Sequence, residues 1–194
     1  MPGGRPRSFD ADAALDRALE VFWRHGYEGT TLTDLTTAMG INKPSVYAAF
    51  GNKEELFAKV MARYLDGPGA YVAQALDAPT GREVIERLIR GAVDMTAGDG
   101  TPHGCLCVNS VHAGGPDADA VRKDAIAVRE NSEAALRRRL EEATDLPSDY
   151  DPAALAALVH TIADGIAVQA AAGRSHAELR QIGDLALRLL LDCP

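Results

Sequence analysis

The most reactive atoms in this 194-residue chain are sulfurs in one short stretch. His103-Gly104-Cys105-Leu106-Cys107, followed by His112, brings two thiols and two imidazoles close together in sequence. Thiolates and imidazoles together suit a soft ion such as Zn or Cu(I). Helical geometry opposes a shared ion, because residues two apart on a helix point about 200° apart. Only Cys107 with His103, or an extended segment, would bring ligands together. A second chemistry is a reactive thiol sensing oxidants or electrophiles. It needs a cation or a helix N-terminus to favour the thiolate, and Cys105 is placed where such a terminus can fall. The third reading is plain packing, with Cys105 a small buried apolar residue, and this is the expectation here. No metal site and no cofactor are expected. Cys193 reads as incidental. Three cysteines cannot all pair, which fits a reduced, cytoplasmic setting.

His160 and Asp164 lie four apart on an apolar helix and can pair, in a ligand pocket or at a subunit seam; the seam is favoured. Enzyme signatures are missing from the sequence. Gly98-Asp99-Gly100 is not followed by the Gly-Lys-Ser/Thr of a phosphate loop, and there is no nucleophile elbow or HExxH. The chain is not expected to be an enzyme.

The elements that carry these residues read as helices. Hydrophobic residues make up 46% of the chain and aromatics only 5%, so the core must be built from Ala and Leu, which favours an all-α fold. The N-terminus lacks the apolar segment of a secretory signal. Residues 153–172 are apolar enough to raise a membrane span, but His160, Asp164 and Gln169 interrupt them, so a buried helix and no membrane partner are expected.

The most specific punctuation lies between Thr30 and Leu56. Thr31 can cap a helix, with Asp34 completing an acidic capping box. Leu32, Leu35 and Met39 share one face, and Gly40 closes the helix. Asn42 or Lys43 opens the next, with Pro44 in its first turn. Val46 and Phe50 point inward, leaving Ser45, Tyr47, Ala48 and Ala49 outward. Asn52 with Glu55 caps a further helix bearing Leu56, Phe57, Val60 and Tyr64. Helix, glycine turn and second helix form a helix-turn-helix. Its small, polar outer face can enter a major groove about 12 Å wide.

Gly26-Tyr27, Thr30-Thr31, Gly40-Ile41, Ser45-Val46-Tyr47, Phe50 and Asn52-Lys53-Glu54-Glu55-Leu56 resemble the signature of the TetR/AcrR family of transcriptional regulators, over roughly residues 9–57. The resemblance implies phosphate contacts from Tyr47 and Lys53. Thr31 and Thr33, at a helix N-terminus, are further phosphate candidates. Lys43, Pro44, Ser45 and Ala48 are the candidates for reading base edges. Ala48 and Ala49 replace larger side chains common in the family, so DNA shape can carry part of the readout. Arg5 and Arg7, on an N-terminal arm, can reach a minor groove. The net charge of −8 opposes this only as a whole-chain sum: residues 1–60 hold seven Lys/Arg against eight Asp/Glu, so most of the excess acid lies elsewhere.

The expected organisation is a flexible basic arm (1–8), a helix-turn-helix domain (9–52), a connecting helix (53–66) and a helical ligand-binding and dimerisation domain (67–194). Gly67-Pro68-Gly69 marks the break. Thr80 with Glu83, Asp151-Pro152, and Ser175 with Glu178 mark later helix starts, and a long helix is expected from about Asp117 to Glu142. The first helix should run from Asp10 to about His25. The last two helices are apolar on more than one face, which predicts a homodimer. Gly165, Gly173 and Gly183 would let its helices approach closely, and Leu155, Leu158, Ile162, Ile166, Ile182, Leu185 and Leu189 are the seam candidates. A ligand pocket is expected around Cys105, Val108, His112, Val128 and Ile162. These features imply a regulator, a repressor that releases a near-palindromic double-stranded DNA operator when a small-molecule effector binds. The alternatives are a thiol-based redox or electrophile sensor, and a helical small-molecule-binding or catalytic protein with a vestigial reader.

Overall fold

A computed structural model describes residues 9–115, 118–147 and 149–191. Every regular element among them is helical. Helix α1 (Ala11–Gly29) starts where the Asp10 carboxylate accepts hydrogen bonds from the Asp12 and Ala13 N–H groups at 3.0 and 3.1 Å. Its main run ends at about His25, as the sequence implies, because Gly26, at φ 70°, breaks the helix; one further turn follows to Gly29. That break turns Tyr27 inward against Phe22 and Phe57.

Two of the expected capping boxes form in full, while at Thr80 only the bond from Glu83 N–H to the Thr80 hydroxyl is present, at 3.1 Å. Thr31 and Asp34 open α2 (Leu32–Met39), and Asn52 and Glu55 open α4 (Lys53–Asp66). Between them, Gly40 takes the left-handed conformation, and the Asn42 side chain accepts from the Ser45 N–H at 2.9 Å to start α3 (Lys43–Phe50). A 3-10 turn (Pro68–Ala70) leads into α5 (Tyr71–Leu76), a short helix with no side-chain cap to signal it in sequence. Then come α6 (Gly81–Ala97), α7 (Leu106–Ser110), α8 (Asp119–Glu141), α9 (Pro152–Ala171) and α10 (His176–Leu191). The expected start of α8 at Asp117 lies outside the described residues, and α7 is the short apolar stretch seen in the sequence.

Two apolar cores result. The first joins α1–α4 and also takes in Leu106 and Cys107 of α7 and Val121 of α8. The second packs α6, α9 and α10 around Val84, Ile85, Ile89, Ile166 and Leu179, closed by Leu136 and Leu140 of α8. Each fully buried side chain, such as Phe22 or Leu106, contributes about 1.5–3 kcal/mol. The DNA reader is thus not walled off from the C-terminal helices. Trp23 Nε1 donates to the Gly104 carbonyl at 2.9 Å, tying α1 to the stretch of chain before α7. Glu28 accepts from the N–H groups of Gly114 and Gly115, just after α7. Helix α9 is apolar and long enough to cross a membrane by composition alone. It packs against α6, α8 and α10, and its polar residues find partners within the fold.

Candidate nucleic-acid interface and sensor cavity

Helix α3 is held from beneath and bare on top. Val46 and Phe50 are buried, and the Lys59 ammonium donates to the Phe50 carbonyl at 3.1 Å. The Arg17 guanidinium donates to Met39 O at 3.2 Å, closing the preceding helix. Arg63 pairs with Asp16 at 2.7 Å and locks α4 to α1. On the outer side Lys43, Pro44, Tyr47, Ala48 and Ala49 are exposed and Ser45 is half-buried. The Lys43 ammonium hovers 5.9 Å from the Tyr47 ring centroid. Lys53 reaches the same region from the start of α4, its ammonium 4.3 Å from the Tyr27 ring. Thr31 and Thr33 are exposed at the start of α2. The Thr31 hydroxyl is engaged by Asp34, to which it donates at 2.6 Å. Those Thr31 bonds hold the Asp34 carboxyl below its ordinary pKa, so a negative charge already occupies that helix start. Arg5 and Arg7 lie outside the described residues.

A cavity of about 540 Å³ opens between α4, α5, α6, α7, α8 and α9. That is within the range of small-molecule sites. Leu88, Val108, Val128, Val159 and Ala163 form much of its wall. Several of its polar groups are engaged with one another. Arg129 of α8 forms a two-point ion pair with Asp164 of α9, one arm at 2.6 Å. Ser132 Oγ and His160 Nε2 stand 3.4 Å apart. Burial pushes the His160 pKa down, which favours a neutral ring at pH 7.

The two thiols meet here. Cys105 precedes α7 in an extended conformation, φ −120° and ψ 128°, so the helical divergence expected for Cys105 and Cys107 does not apply. Both line the cavity. Cys105 is half-buried and Cys107 buried. The Cys107 thiol, whose S–H donates to Met61 Sδ at 3.3 Å, lies beside Cys105, and the Tyr64 hydroxyl lies 3.2 Å from Cys105 Sγ; with the N–H groups of Val108 and Cys107 these neighbours outweigh burial and lower the Cys105 pKa to about 6. The Cys107 pKa is pushed up, first by the neighbouring Cys105 and then by burial. Cys105 is therefore more polar and more open than the buried apolar residue expected from sequence. Among the described residues no group of three or more His, Cys, Asp or Glu is placed to hold a metal ion.

Residues 14–60 match the pattern described as bacterial regulatory proteins, tetR family. The HTH-type transcriptional repressor ComR of Escherichia coli (strain K12) is 34% identical over 191 residues, covering 96% of this chain and 91% of that protein. This chain belongs to the TetR family. It is a DNA-binding transcriptional regulator with an all-helical TetR fold. The TetR family transcriptional regulator CifR, solved as a cysteine variant in complex with 26-bp double-strand operator DNA, superposes with a TM-score of 0.90 at 41% identity, covering 96% of this chain and 100% of that one. A putative TetR regulator from Rhodococcus sp. RHA1 shares 37% identity at a TM-score of 0.62, covering 94% and 99%.

Within this TetR-family fold the sequence-predicted pocket residues divide. Cys105, Val108 and Val128 line the cavity. His112 does not: it is exposed in the turn after α7. Ile162 packs against the second core and is not part of the wall, because it points to a different side of α9 from His160 and Ala163. His160 and Asp164 face the cavity, each with a partner on α8, and not each other or a seam. The residues missed from sequence are Tyr64, Tyr71 and Arg129; Arg129 lies in a charged helix and has no local signal.

Of the seam candidates, Leu158, Ile182, Leu185 and Leu189 form exposed apolar surface on α9 and α10, joined by Val168. Leu155 and Ile166 are instead core residues of the single chain, since they face α6 rather than outward. Gly183 does allow close approach, but to Ile89 and Val93 of α6 within the same chain. Gly165 and Gly173 have open space around them.

Proposed function

We propose that this regulator is a cytoplasmic homodimeric repressor, without enzymatic activity, that leaves its operator when a neutral small molecule fills the cavity between α4 and α9. One observation carries the reading. Tyr64 of the connecting helix and Cys105 and Cys107 beside α7 line the cavity, while Trp23 and Met61 of the first core contact the same short segment. A ligand that displaces α7 thus acts on residues that position α1 and α4. ComR's designation as a repressor and CifR's complex with operator DNA support the same role for this chain.

In this reading residues 9–52 are the reader, 53–66 the connecting helix and 67–194 the sensor and dimerisation part. Lys43, Pro44, Ser45 and Ala48 meet base edges, while Thr33, Tyr47 and Lys53 meet phosphates, with Thr31 shaping the helix start. Leu158, Val168, Ile182, Leu185 and Leu189 meet their copies across a two-fold axis, which sets two readers on half-sites about one helical turn apart. The effector needs only a preference for the released arrangement, and a tenfold change in DNA affinity corresponds to about 1.4 kcal/mol.

The test is a gel shift with DNA flanking the protein's own gene, at several salt concentrations. Specific retardation that weakens steeply with salt supports the reading. Equal retardation of random DNA would overturn the operator in that flanking sequence.

A further inference from the structure

One phenol in the cavity has a placement that packing alone does not explain. Tyr71 opens α5, and its ring lies against Gly91 of α6, where an added Cβ would stand 2.4 Å from Tyr71 Cδ2. Glycine inside a helix is about 0.8–1.0 kcal/mol less favourable than alanine. Gly91 accepts that penalty in the middle of α6 and gives the Tyr71 ring its seat. The ring's far end reaches the cavity, yet the Tyr71 hydroxyl makes no hydrogen bond within the described residues. Burial, the Cys105 thiol and the Asp164 carboxylate all push its pKa up, so it stays a protonated donor. Among the described residues no fully buried side-chain N or O lacks a partner, so this unpartnered hydroxyl keeps accessible surface that a ligand can reach.

The neighbouring polar groups are already engaged. The Tyr64 hydroxyl lies between Cys105 Sγ at 3.2 Å and Met95 Sδ at 3.3 Å. Asp164 takes two of the five Arg129 N–H donors and neutralises the guanidinium, which weakens its pull on a ligand carboxylate. The Cys105 thiolate adds negative charge, which opposes an anion further. Asp66, Asn131, Ser132 and His160 also line the chamber, the last two 3.4 Å from each other, and Tyr71 adds a phenol donor with no protein partner among the described residues.

Resting on the reading of this cavity as the effector site, we propose that the Tyr71 hydroxyl is the docking donor for a neutral, largely apolar effector bearing one hydrogen-bond-accepting oxygen, such as a ketone, ester or ether. The oxygen accepts from Tyr71, and the apolar body lies along Leu88, Val128 and Val159. Anions are disfavoured by Cys105 and by the neutralised Arg129–Asp164 pair, and a quaternary ammonium ion offers the Tyr71 O–H no acceptor.

The experiment uses the full-length, DNA-free protein and a matched naphthyl series: 2-acetonaphthone, naphthalene, 2-naphthoate and (2-naphthylmethyl)trimethylammonium, with benzophenone and cyclododecanone extending the ketone shapes. Affinity is measured by calorimetry and thermal shift. The ketones should bind more tightly than naphthalene or either ion. Tyr71→Phe keeps the ring on Gly91 and should weaken ketone binding about 3- to 10-fold. It should leave naphthalene affinity unchanged and the ligand-free melting temperature no lower than the parent's. Gly91→Ala, which unseats the ring, should erase the ketone preference with the hydroxyl still present. Tighter binding of either ion, equal losses for ketone and hydrocarbon in Tyr71→Phe, a lowered melting temperature in that variant, or no binding by any of the three ketones would overturn the proposal. Operator binding by the ligand-free parent is scored separately, so the regulator reading can fail or stand independently of this one.

Discussion

Leu189→Ala tests the dimer seam where the structure gives a magnitude. Leu189 is 61% exposed on α10, the most open of the large apolar side chains among the described residues. Fully burying a leucine is worth about 1.5–3 kcal/mol, so covering the exposed part is worth about 1–2 kcal/mol per chain. A two-fold seam covers both copies, which doubles the effect to about 2–4 kcal/mol, or roughly 30- to 900-fold in the dimer dissociation constant. The alanine Cβ keeps some contact, so the lower end of that range is expected. Each chain should fold as before, because Leu189 is not part of its own chain's buried core. The assay is sedimentation equilibrium over a wide concentration range, beside a melting curve for each protein. Tyr47→Ala, removing an exposed aromatic from α3, is the control and should leave dimerisation unchanged. A parent protein monomeric at tens of micromolar, or a Leu189→Ala dimer as tight as the parent, would refute the seam as placed.

Three further outcomes are expected. In competition among operator variants, Lys43→Ala should relax preference at one base pair per half-site by roughly 1–3 kcal/mol, whereas Lys53→Ala should weaken binding to all sequences alike and reduce the salt slope by about 1; equal losses on specific and random DNA for Lys43→Ala would reassign it to phosphate. Ultraviolet titration at 240 nm should show a Cys105 thiolate forming near pH 6, and Cys107→Ala and Tyr64→Phe should each raise that midpoint, since both neighbours favour the thiolate. A lowered folded pKa makes the thiolate's contribution to stability present above the unfolded value and lost as pH falls through about 6. His160 is also lowered, so the unfolded chain binds its proton first; stability should fall as pH drops below 6.5, and His160→Gln should flatten that loss in denaturant melts.

Legibility in the sequence tracks the range of the forces involved. The DNA reader is legible because its signals are local. Thr31–Asp34, Gly40, Asn42–Pro44 and Asn52–Glu55 each act within one turn of helix, and each forms as the sequence implies. Helix α5 is not legible, since no cap marks it and it is stabilised by packing on α6. The cavity is half legible. Val108 and Val128 announce themselves as apolar, but the Arg129–Asp164 pair joins residues 35 apart in sequence and depends on how α8 crosses α9. Leu155 and Ile166 belong to the core and not the seam because an apolar helix shows that it is covered on several sides without showing which side its own chain covers. The thiols differ from expectation for a single reason. Their divergence requires helix at Cys105, and that residue lies one step before the helix begins.

That one-residue difference also bears on how a signal could cross the molecule. Because Cys105 is extended, the Gly104 carbonyl is free to accept the Trp23 indole at 2.9 Å, and Gly104 N–H donates to Thr96 O at the same distance. A single dipeptide is thereby fastened to α1 on one side and α6 on the other, with the cavity lined by its thiol. Trp23 stacks edge-on against Tyr64 at 5.0 Å, and Tyr64 reaches back to Cys105. These contacts close a ring of four residues, Trp23, Gly104, Cys105 and Tyr64, in which Trp23 and Tyr64 belong to the first core and Cys105 opens on the cavity. Close-packed groups of this kind have few alternative arrangements, so a ligand that shifts Cys105 must either break the indole hydrogen bond or carry Trp23 with it. Trp23→Phe removes the hydrogen bond and keeps most of the packing. In the proposed mechanism it should leave operator affinity within a few fold of the parent while reducing how far an effector weakens it. An effector response unchanged in Trp23→Phe would show that the signal travels by another route, with Glu28 and the loop after α7 the next contact to remove.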